Sequence, residues 1–172
     1  MLKLKNIPEE LQSAIDEKGY DKLTSVQSLV LDPSNSGKDL LVSSQTGSGK
    51  TLAYGLSISC DGLKEIIDED NKLKTLIVTP TRELALQVFN ELAWLFSKTS
   101  ITISTAIGGM DIKKERKSIF KGVDLLIGTP GRINDHIRRK TFDLNHLKSL
   151  VLDEADEMLD LGFKQDLDII VN

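Results

Sequence analysis

The stretch DLLIGTPGRIN, residues 124–134, joins an apolar run to an abrupt break and a helix-like continuation. The apolar residues 125–127 show no polar alternation, which predicts a β-strand that is buried on both faces. Pro130 and Gly131 end that run, and proline suits the first turn of a helix. The stretch therefore predicts one strand-to-helix unit of an α/β protein.

Similar apolar runs recur along the 172-residue chain, and helical patterns separate them. Residues 81–96, for example, place Leu84, Val88, Leu92 and Leu95 on one helical stripe. The alternation predicts an α/β fold with a mainly parallel sheet that helices cover on both faces. Ligands bind such sheets outside the carboxyl ends of the strands. The runs predicted as strands are 40–43, 76–79, 101–107, 125–129 and 150–153.

The composition predicts a single globular domain in a reducing compartment. Hydrophobic residues make up 40% of the chain, and the formal net charge is −4, so contact with nucleic acid needs a local basic patch. The single cysteine, Cys60, excludes an internal disulfide framework. The chain shows neither a signal peptide nor a membrane-spanning run, so we expect a soluble, cytoplasmic protein. The acidic stretch 68–74 is interpreted as a solvated loop or helix end.

A glycine-rich sequence follows the predicted strand 40–43. Its residues are Ser44, Gln45, Thr46, Gly47, Ser48, Gly49, Lys50 and Thr51. Gly47 and Gly49 allow the backbone to bend so that successive N–H groups face one concave space, beside the N-terminus of the next helix. In such a loop Lys50 would contact β- and γ-phosphate oxygens, and the Thr51 hydroxyl would ligate Mg²⁺. The strict pattern has glycine at the first position, where this chain has serine. The alternative is a glycine-rich turn with an exposed lysine.

Acidic residues follow the predicted strand 150–153, in the order Asp153, Glu154, Ala155, Asp156. An aspartate at a strand end beside a phosphate loop can hold Mg²⁺ through water, and the next glutamate can orient or deprotonate an attacking water. The alternative is that these acids only favour the N-terminus of the following helix. Together with the loop, they predict nucleotide hydrolysis, with Lys50, Asp153 and Glu154 as the catalytic residues.

The motifs QTGSGKT (45–51), PTRELA (80–85), GG (108–109), TPGR (129–132) and DEADEML (153–159) occur in one characteristic order. In this order they resemble the N-terminal RecA-like domain of the DEAD-box RNA helicases, over nearly the whole chain. The resemblance implies an ATP-dependent RNA helicase, with ATP and Mg²⁺ as cofactors and RNA as a partner. It also implies that Asp156 couples hydrolysis to unwinding.

Within residues 1–30, the Q-motif region, the stretch from Gly19 and Tyr20 to Gln27 resembles the Q motif of that family, which reads adenine. Gln27 is implied to hydrogen-bond the adenine edge, because an amide donates and accepts at once; the alternative is an exposed helix residue. Tyr20 is aromatic, as is usual in the family at this position, and it either contacts the base or packs in the core. The family's upstream aromatic, which stacks on adenine, has no counterpart other than Leu2 or Leu4.

A second stretch, LIVTPTRE at 76–83, repeats the Thr-Pro-x-Arg pattern of the opening stretch. An arginine beside a helix N-terminus can bind one anionic oxygen group, so two copies could hold consecutive phosphates of one strand. The resemblance assigns both copies and the glycine pair to the RNA backbone. The alternative is that both are efficient turns whose arginines pair with nearby acids such as Glu83. The implied RNA-binding residues are Pro80, Thr81, Arg82, Glu83, Gly108, Gly109, Thr129, Pro130, Gly131 and Arg132.

Several other polar or aromatic groups are assigned no role in the chemistry. The basic runs 113–117 and 138–140 are interpreted as solvated helix faces or ends. His136 and His146 lack the spacing of metal ligands, and Trp94 is predicted to pack rather than to stack on a base.

The resemblance implies that residues 1–172 are the ATP-binding half of a helicase, without the end of that domain and without a second RecA-like domain. We expect that second domain as a partner in the full-length protein, and a monomeric chain without membrane contact. Alone, the chain is expected to bind adenine nucleotide but to be nearly inactive as an ATPase. A DNA-directed helicase of a related family and a non-catalytic RNA-binding module are the alternatives.

Overall fold

A computed structural model describes residues 7–60, except the Cys60 side chain, and residues 72–171. The backbone divides into two units, residues 1–67 with 91–100 and residues 68–90 with 101–172. Leu2, Leu4 and most of the acidic stretch 68–74 lie outside the described residues.

Before residue 61 the described part of the first unit contains a short 3₁₀ helix (Pro33–Asn35) and three α-helices. The α-helices are α1 (Glu9–Glu17), α2 (Ser25–Val30) and α3 (Lys50–Cys60). Leu11 and Ile15, four residues apart on α1, are both buried, as are Leu52 and Leu56 on α3. This i, i+4 spacing puts each apolar pair on one face of its helix, which turns toward the core.

The strand predicted over residues 40–43 is wrong. These residues form no regular secondary structure and pair with no strand in the described part of the chain, and the Leu41 side chain is fully exposed. A strand exists only where a neighbour takes up its N–H and C=O groups. The apolar composition of residues 40–43 indicated burial, but it could not name a partner strand.

A parallel four-stranded sheet lies in the second unit, in the order β2-β3-β1-β4. The strands are β1 (Thr75–Val78), β2 (Ile103–Ala106), β3 (Leu125–Gly128) and β4 (Ser149–Leu152). Ile77 lies beside Ile127 on one side and Val151 on the other. Every residue of the two central strands is buried, which confirms the strand predicted from the opening stretch. The predicted parallel sheet is also confirmed, with strand ends that shift by one or two residues.

Helices follow the strands, as parallel pairing requires. They are α4 (Arg82–Leu95), α5 (Ile112–Phe120), α6 (Pro130–Arg138), α7 (Ala155–Asp160) and α8 (Lys164–Val171). Three members of the predicted stripe on α4 are confirmed, since Val88, Leu92 and Leu95 are fully buried, whereas Leu84 is half-buried. In the second unit, Leu126 of β3 belongs to a core with Ile133 of α6. None of the described helices has both the length and the apolar character needed to cross a membrane.

Candidate nucleotide loop and nucleic-acid interface

The glycine-rich loop leads directly into α3, which begins at Lys50. Gly47 and Gly49 have φ angles of +79° and +87°, a left-handed conformation that glycine adopts without steric cost. The Lys50 ammonium donates to the Ser44 carbonyl at 2.9 Å. The hydroxyls of Ser44 and Ser48 are 2.8 Å apart. Turn, helix N-terminus and lysine are therefore present together, which is the donor set that a phosphate needs.

Serine replaces the usual glycine at position 44 without strain. Ser44 does not belong to the residues with positive φ, so it needs no left-handed backbone. Its hydroxyl has a partner in Ser48. The departure from the strict phosphate-loop pattern therefore leaves the fold of the loop intact.

Gln27 joins α2 to this loop. Its Nε2 donates to the Gly49 carbonyl at 3.2 Å, and its Oε1 accepts from the Thr24 N–H at 2.9 Å. Thr24 in turn accepts from the Gln27 N–H, which completes a capping box at the start of α2. Gln27 is only 2% exposed, so the alternative of an exposed helix residue is wrong. A Cβ on Gly49 would lie 2.4 Å from the Gln27 Nε2, so this contact requires glycine.

Tyr20 packs against Trp94. The two rings are stacked with centroids 5.9 Å apart and planes at 12°, and the Lys18 ammonium lies 5.3 Å from the Trp94 ring centroid. Trp94 therefore packs, as predicted. One face of the Tyr20 ring is covered by Trp94, so that face is not open to a base.

The acidic turn after β4 contains a strained residue. The Asp153 N–H donates to the Val78 carbonyl at 2.9 Å, and Asp153 is buried. Glu154 has φ +54° and ψ +52°, although a left-handed backbone costs a residue with a side chain roughly 1–2 kcal/mol. Glu154 is the N-cap of α7, yet its side chain makes no capping hydrogen bond. The alternative of acids that only cap a helix does not explain this strain, whereas a functional turn does.

The two residues predicted to hold magnesium, Thr51 and Asp153, carry side-chain oxygens, the ligand type that suits an ion held mainly by phosphate and water. No cluster of three or more potential ligands from His, Cys, Asp and Glu occurs within the described ranges. Mg²⁺ at a phosphate site commonly takes only one or two protein oxygens. Thr51 lies in the first unit and Asp153 in the second, and each carries such an oxygen.

The strand order brings the remaining motifs to one edge of the sheet. All neighbouring strands are parallel, so their carboxyl ends point the same way. The glycine turn (residues 108–110) follows β2, the TPGR motif follows β3, the TPTR motif follows β1, and the acidic turn follows β4. The glycine turn, the TPGR motif and the TPTR motif thus follow three adjacent strands at this edge.

Arg82 lies against the glycine turn. A Cβ on Gly109, whose φ is +82°, would lie 2.2 Å from the Arg82 Nη1. Arg82 is exposed, and none of the salt bridges in the described part of the chain includes it. Thr81 caps α4 by accepting the Leu84 N–H at 3.2 Å, so Arg82 occupies the first helical position.

Arg132 is placed differently, although the two motifs match in sequence. Here the cap is Thr129, whose carbonyl accepts from the Ile133 N–H at 3.0 Å, so α6 begins two residues earlier in its motif than α4 does. The Arg132 Nε donates to the Glu115 Oε2 at 2.8 Å, and its Nη2 donates to the Met110 carbonyl at 2.5 Å. The alternative of an arginine paired with an acid therefore holds for Arg132, with Glu115 in place of Glu83.

Glu115 and His136 are the residues that sequence reasoning missed. Glu115 is 8% exposed and accepts from the Ile107 N–H at 3.1 Å and from the His136 Nε2 at 2.9 Å. Burial raises the pKa of the Glu115 carboxyl, but the hydrogen bonds from His136, Arg132 and Ile107 outweigh it, so the pKa is lowered. His136 is fully buried, and its Nδ1 pairs with the Thr141 hydroxyl at 3.2 Å.

The interpretation of residues 113–117 as a solvated face is wrong for Glu115 and correct for its four basic neighbours. Helical spacing carried a signal, because Glu115 precedes the buried Ile119 by four residues and shares its face. The run 138–140 is exposed, as predicted.

A sequence model of the DEAD/DEAH box helicase family matches residues 24–172. The chain is 40% identical to the ATP-dependent RNA helicase CshA of Limosilactobacillus reuteri, over 96% of this chain and 32% of the relative. It is 42% identical to the ATP-dependent RNA helicase HAS1 of Chaetomium globosum, over 96% of this chain and 28% of the relative.

Among solved structures, the hypothetical ATP-dependent RNA helicase from Sulfolobus tokodaii matches with a TM-score of 0.84 at 34% identity. The match covers 95% of this chain and 46% of that chain, and agrees with a RecA-like α/β fold. The chain spans about a third of the length of the curated relatives it matches.

Proposed function

Because the chain belongs to the DEAD/DEAH box helicase family, we propose that it is the ATP- and RNA-binding half of an ATP-dependent RNA helicase. In this proposal residues 1–172 form the N-terminal RecA-like domain, with the Q-motif region in residues 1–30. A second RecA-like domain of the full-length protein is its partner. We also propose a monomeric, cytoplasmic protein.

The first unit binds the nucleotide. The loop from Ser44 to Gly49 offers backbone N–H groups to the phosphates, and the Lys50 ammonium exchanges its loop carbonyls for phosphate oxygens. Gln27 reads adenine with the donor and acceptor capacity that its bonds to Thr24 and Gly49 leave over. Tyr20 supports this region by packing on Trp94.

The acidic turn of the second unit serves hydrolysis. Bound ATP with Mg²⁺ would supply the phosphoanhydride bond and the charge neutralisation. Asp153 would hold the ion through water, and the Glu154 carboxylate would orient the attacking water and accept its proton. Asp156, in the first turn of α7, is assigned to the coupling of hydrolysis to RNA remodelling.

The order of motifs along the sheet edge is the observation that carries the RNA assignment. The glycine turn, the TPGR motif and the TPTR motif follow three adjacent strands, β2, β3 and β1. A polyanionic strand can cross such a row and meet one anion-binding group after another. Arg82 is exposed at this edge, and the relatives named above are RNA helicases.

RNA-stimulated ATP hydrolysis by the full-length protein tests the proposal. The wild type should hydrolyse ATP faster with RNA than with DNA of the same sequence, and Glu154→Gln should abolish turnover while ATP still binds. Unchanged turnover in Glu154→Gln would exclude the assigned mechanism and favour a non-catalytic RNA-binding module. Equal stimulation by DNA would favour a DNA-directed helicase.

The 172-residue chain alone should bind adenine nucleotide with almost no RNA-stimulated turnover. In this proposal, groups from the second RecA-like domain complete the reaction. Robust RNA-stimulated hydrolysis by the isolated chain would contradict that dependence.

A further inference from the structure

We propose that Glu115 and His136 are positioning residues of the RNA surface, which act through Arg132 to fix the glycine turn. The inference rests on the proposed function, because it assigns the glycine turn to RNA. It concerns two residues outside all of the motifs, on α5 and α6.

Glu115 and Arg132 form hydrogen bonds to the backbone on the two sides of the glycine turn. Glu115 Oε1 accepts from the N–H of Ile107, the residue before the turn, at 3.1 Å. Arg132 donates from Nη2 to the carbonyl of Met110, the last residue of the turn, at 2.5 Å. The two side chains are joined by the 2.8 Å bond from Arg132 Nε to Glu115 Oε2. The Glu115–Arg132 ion pair therefore connects the two sides of the turn, and we call these two side chains the clamp.

His136 fixes the orientation of the Glu115 carboxylate. A carboxylate only accepts hydrogen bonds, so the His136 Nε2, 2.9 Å away, must carry a proton. The Thr141 hydroxyl, which faces Nδ1 at 3.2 Å, holds the imidazole ring in this orientation. His136 is fully buried and has no path to RNA, so any effect on RNA must pass through Glu115.

The clamp secures a turn that adds little to the core. Gly109 is exposed, and so is Met110 at 59%. Burying an ion pair is costly in desolvation and is weak support for stability by itself. Glu115 and Arg132, with side chains 8% and 12% exposed, bond to the two sides of an exposed glycine turn, and the buried His136 holds Glu115. A need for fixed turn geometry explains this arrangement better than stability does. Arg82 lies against the same turn and requires its shape.

Binding of a labelled single-stranded RNA to the full-length protein tests the clamp through four proteins: wild type, Glu115→Ala, Arg132→Ala and the double variant. Each single substitution should weaken RNA binding by about tenfold, which corresponds to 1.4 kcal/mol. The double variant should bind no more weakly than either single variant, because both break one clamp. Affinity for a non-hydrolysable ATP analogue should stay unchanged.

The sign of the Glu115→Ala effect is decisive. Removal of a negative charge near a polyanion tightens binding if charge alone matters. Loss of a residue that positions the glycine turn should instead weaken RNA binding. Unchanged or tighter RNA binding by Glu115→Ala, or additive losses in the double variant, would overturn the inference. Equal losses of RNA and ATP-analogue affinity would also overturn it, since they indicate general unfolding.

Two further variants keep the test informative if Glu115→Ala does not fold. Arg132→Lys keeps the charge but cannot reach Glu115 and Met110 with one planar fork, so it should weaken RNA binding nearly as much as Arg132→Ala. Full affinity in Arg132→Lys would overturn the inference. Lys117→Ala, on the exposed face of α5, is the matched control and should change RNA affinity little.

Arg82→Ala separates this inference from the proposed function. If Arg82→Ala weakens RNA binding and the clamp variants do not, the inference alone fails. If the wild type binds no RNA, the proposed function fails as well.

Discussion

Gln27 donates a hydrogen bond from Nε2 to the carbonyl of Gly49, 3.2 Å away, and so links α2 to the phosphate loop. The contact depends on the missing side chain of Gly49, because a Cβ there would lie 2.4 Å from the donor nitrogen. The amide that we propose reads adenine is therefore hydrogen-bonded to the loop that we propose binds phosphate. A substitution at either Gln27 or Gly49 should therefore displace the other residue.

Gly49→Ala should weaken ATP binding by more than about tenfold. The substitution forces a left-handed backbone on alanine, at roughly 1–2 kcal/mol, and pushes the Gln27 amide away. A fluorescent ATP analogue measures the affinity. Gly37→Ala is the matched control, since Gly37 has φ +71° with nothing within 4 Å of its Cβ position. Gly37→Ala should lower the free energy of unfolding about as much as Gly49→Ala does, but its affinity for ATP should stay unchanged. Equal affinities in both variants would contradict the role of the contact.

Glu154→Gly should make the protein more stable and inactive. Glycine relieves the left-handed backbone at φ +54°, which we expect to raise the free energy of unfolding by about 1 kcal/mol. Urea denaturation measures the gain, and RNA-stimulated ATPase of the full-length protein measures the loss. Glu154→Gln keeps the side chain and the strain, so it should lose turnover without gaining stability. A stable, active Glu154→Gly would show that the carboxylate is dispensable.

Gly128→Ala should destabilise the sheet. A Cβ on Gly128 would lie 2.4 Å from the Ala106 backbone carbonyl, which cannot move without disturbing the pairing of β2 with β3. We expect a loss of about 1–3 kcal/mol in the free energy of unfolding, as for other overpacked sites. Gly131→Ala is the control, because its Cβ position has nothing within 4 Å and lies in a helix, where alanine is favoured. In thermal denaturation, the melting temperature should fall for Gly128→Ala and rise for Gly131→Ala.

Glu115 should contribute stability that disappears in acid. Its pKa in the folded protein is lowered from 4.5, so its contribution is complete above that value and is lost as the pH falls through the folded pKa. Urea denaturation of wild type and Glu115→Gln between neutral pH and about pH 3 should therefore give curves that converge at the acid end. Glu10→Gln, at an exposed carboxylate, should follow the wild type throughout. A constant gap between wild type and Glu115→Gln would contradict the assignment.

The two Thr-Pro-x-Arg motifs show where sequence reasoning stopped. Their shared letters correctly predicted two strand-to-helix turns at the same sheet edge. They did not predict that α4 begins at Arg82 whereas α6 begins at Pro130. Thr81 has a hydroxyl that caps α4, and Gly131 at the matching position has none. The N-cap of the second helix is instead Thr129, whose backbone carbonyl accepts the Ile133 N–H. Arg82 consequently lies exposed on the glycine turn, and Arg132 is bound to Glu115.

The sequence by itself determined the strands of the sheet, the helices between them and the edge where the motifs meet. Hydrophobic period, glycine and proline are local signals, and parallel strands leave little freedom in where their ends point. Only the tertiary structure decided that residues 40–43 pair with no strand in the described part of the chain, and that Glu115 lies buried between Arg132 and His136. A strand needs a neighbour and a buried charge needs partners, and both come from distant parts of the chain that local patterns cannot identify.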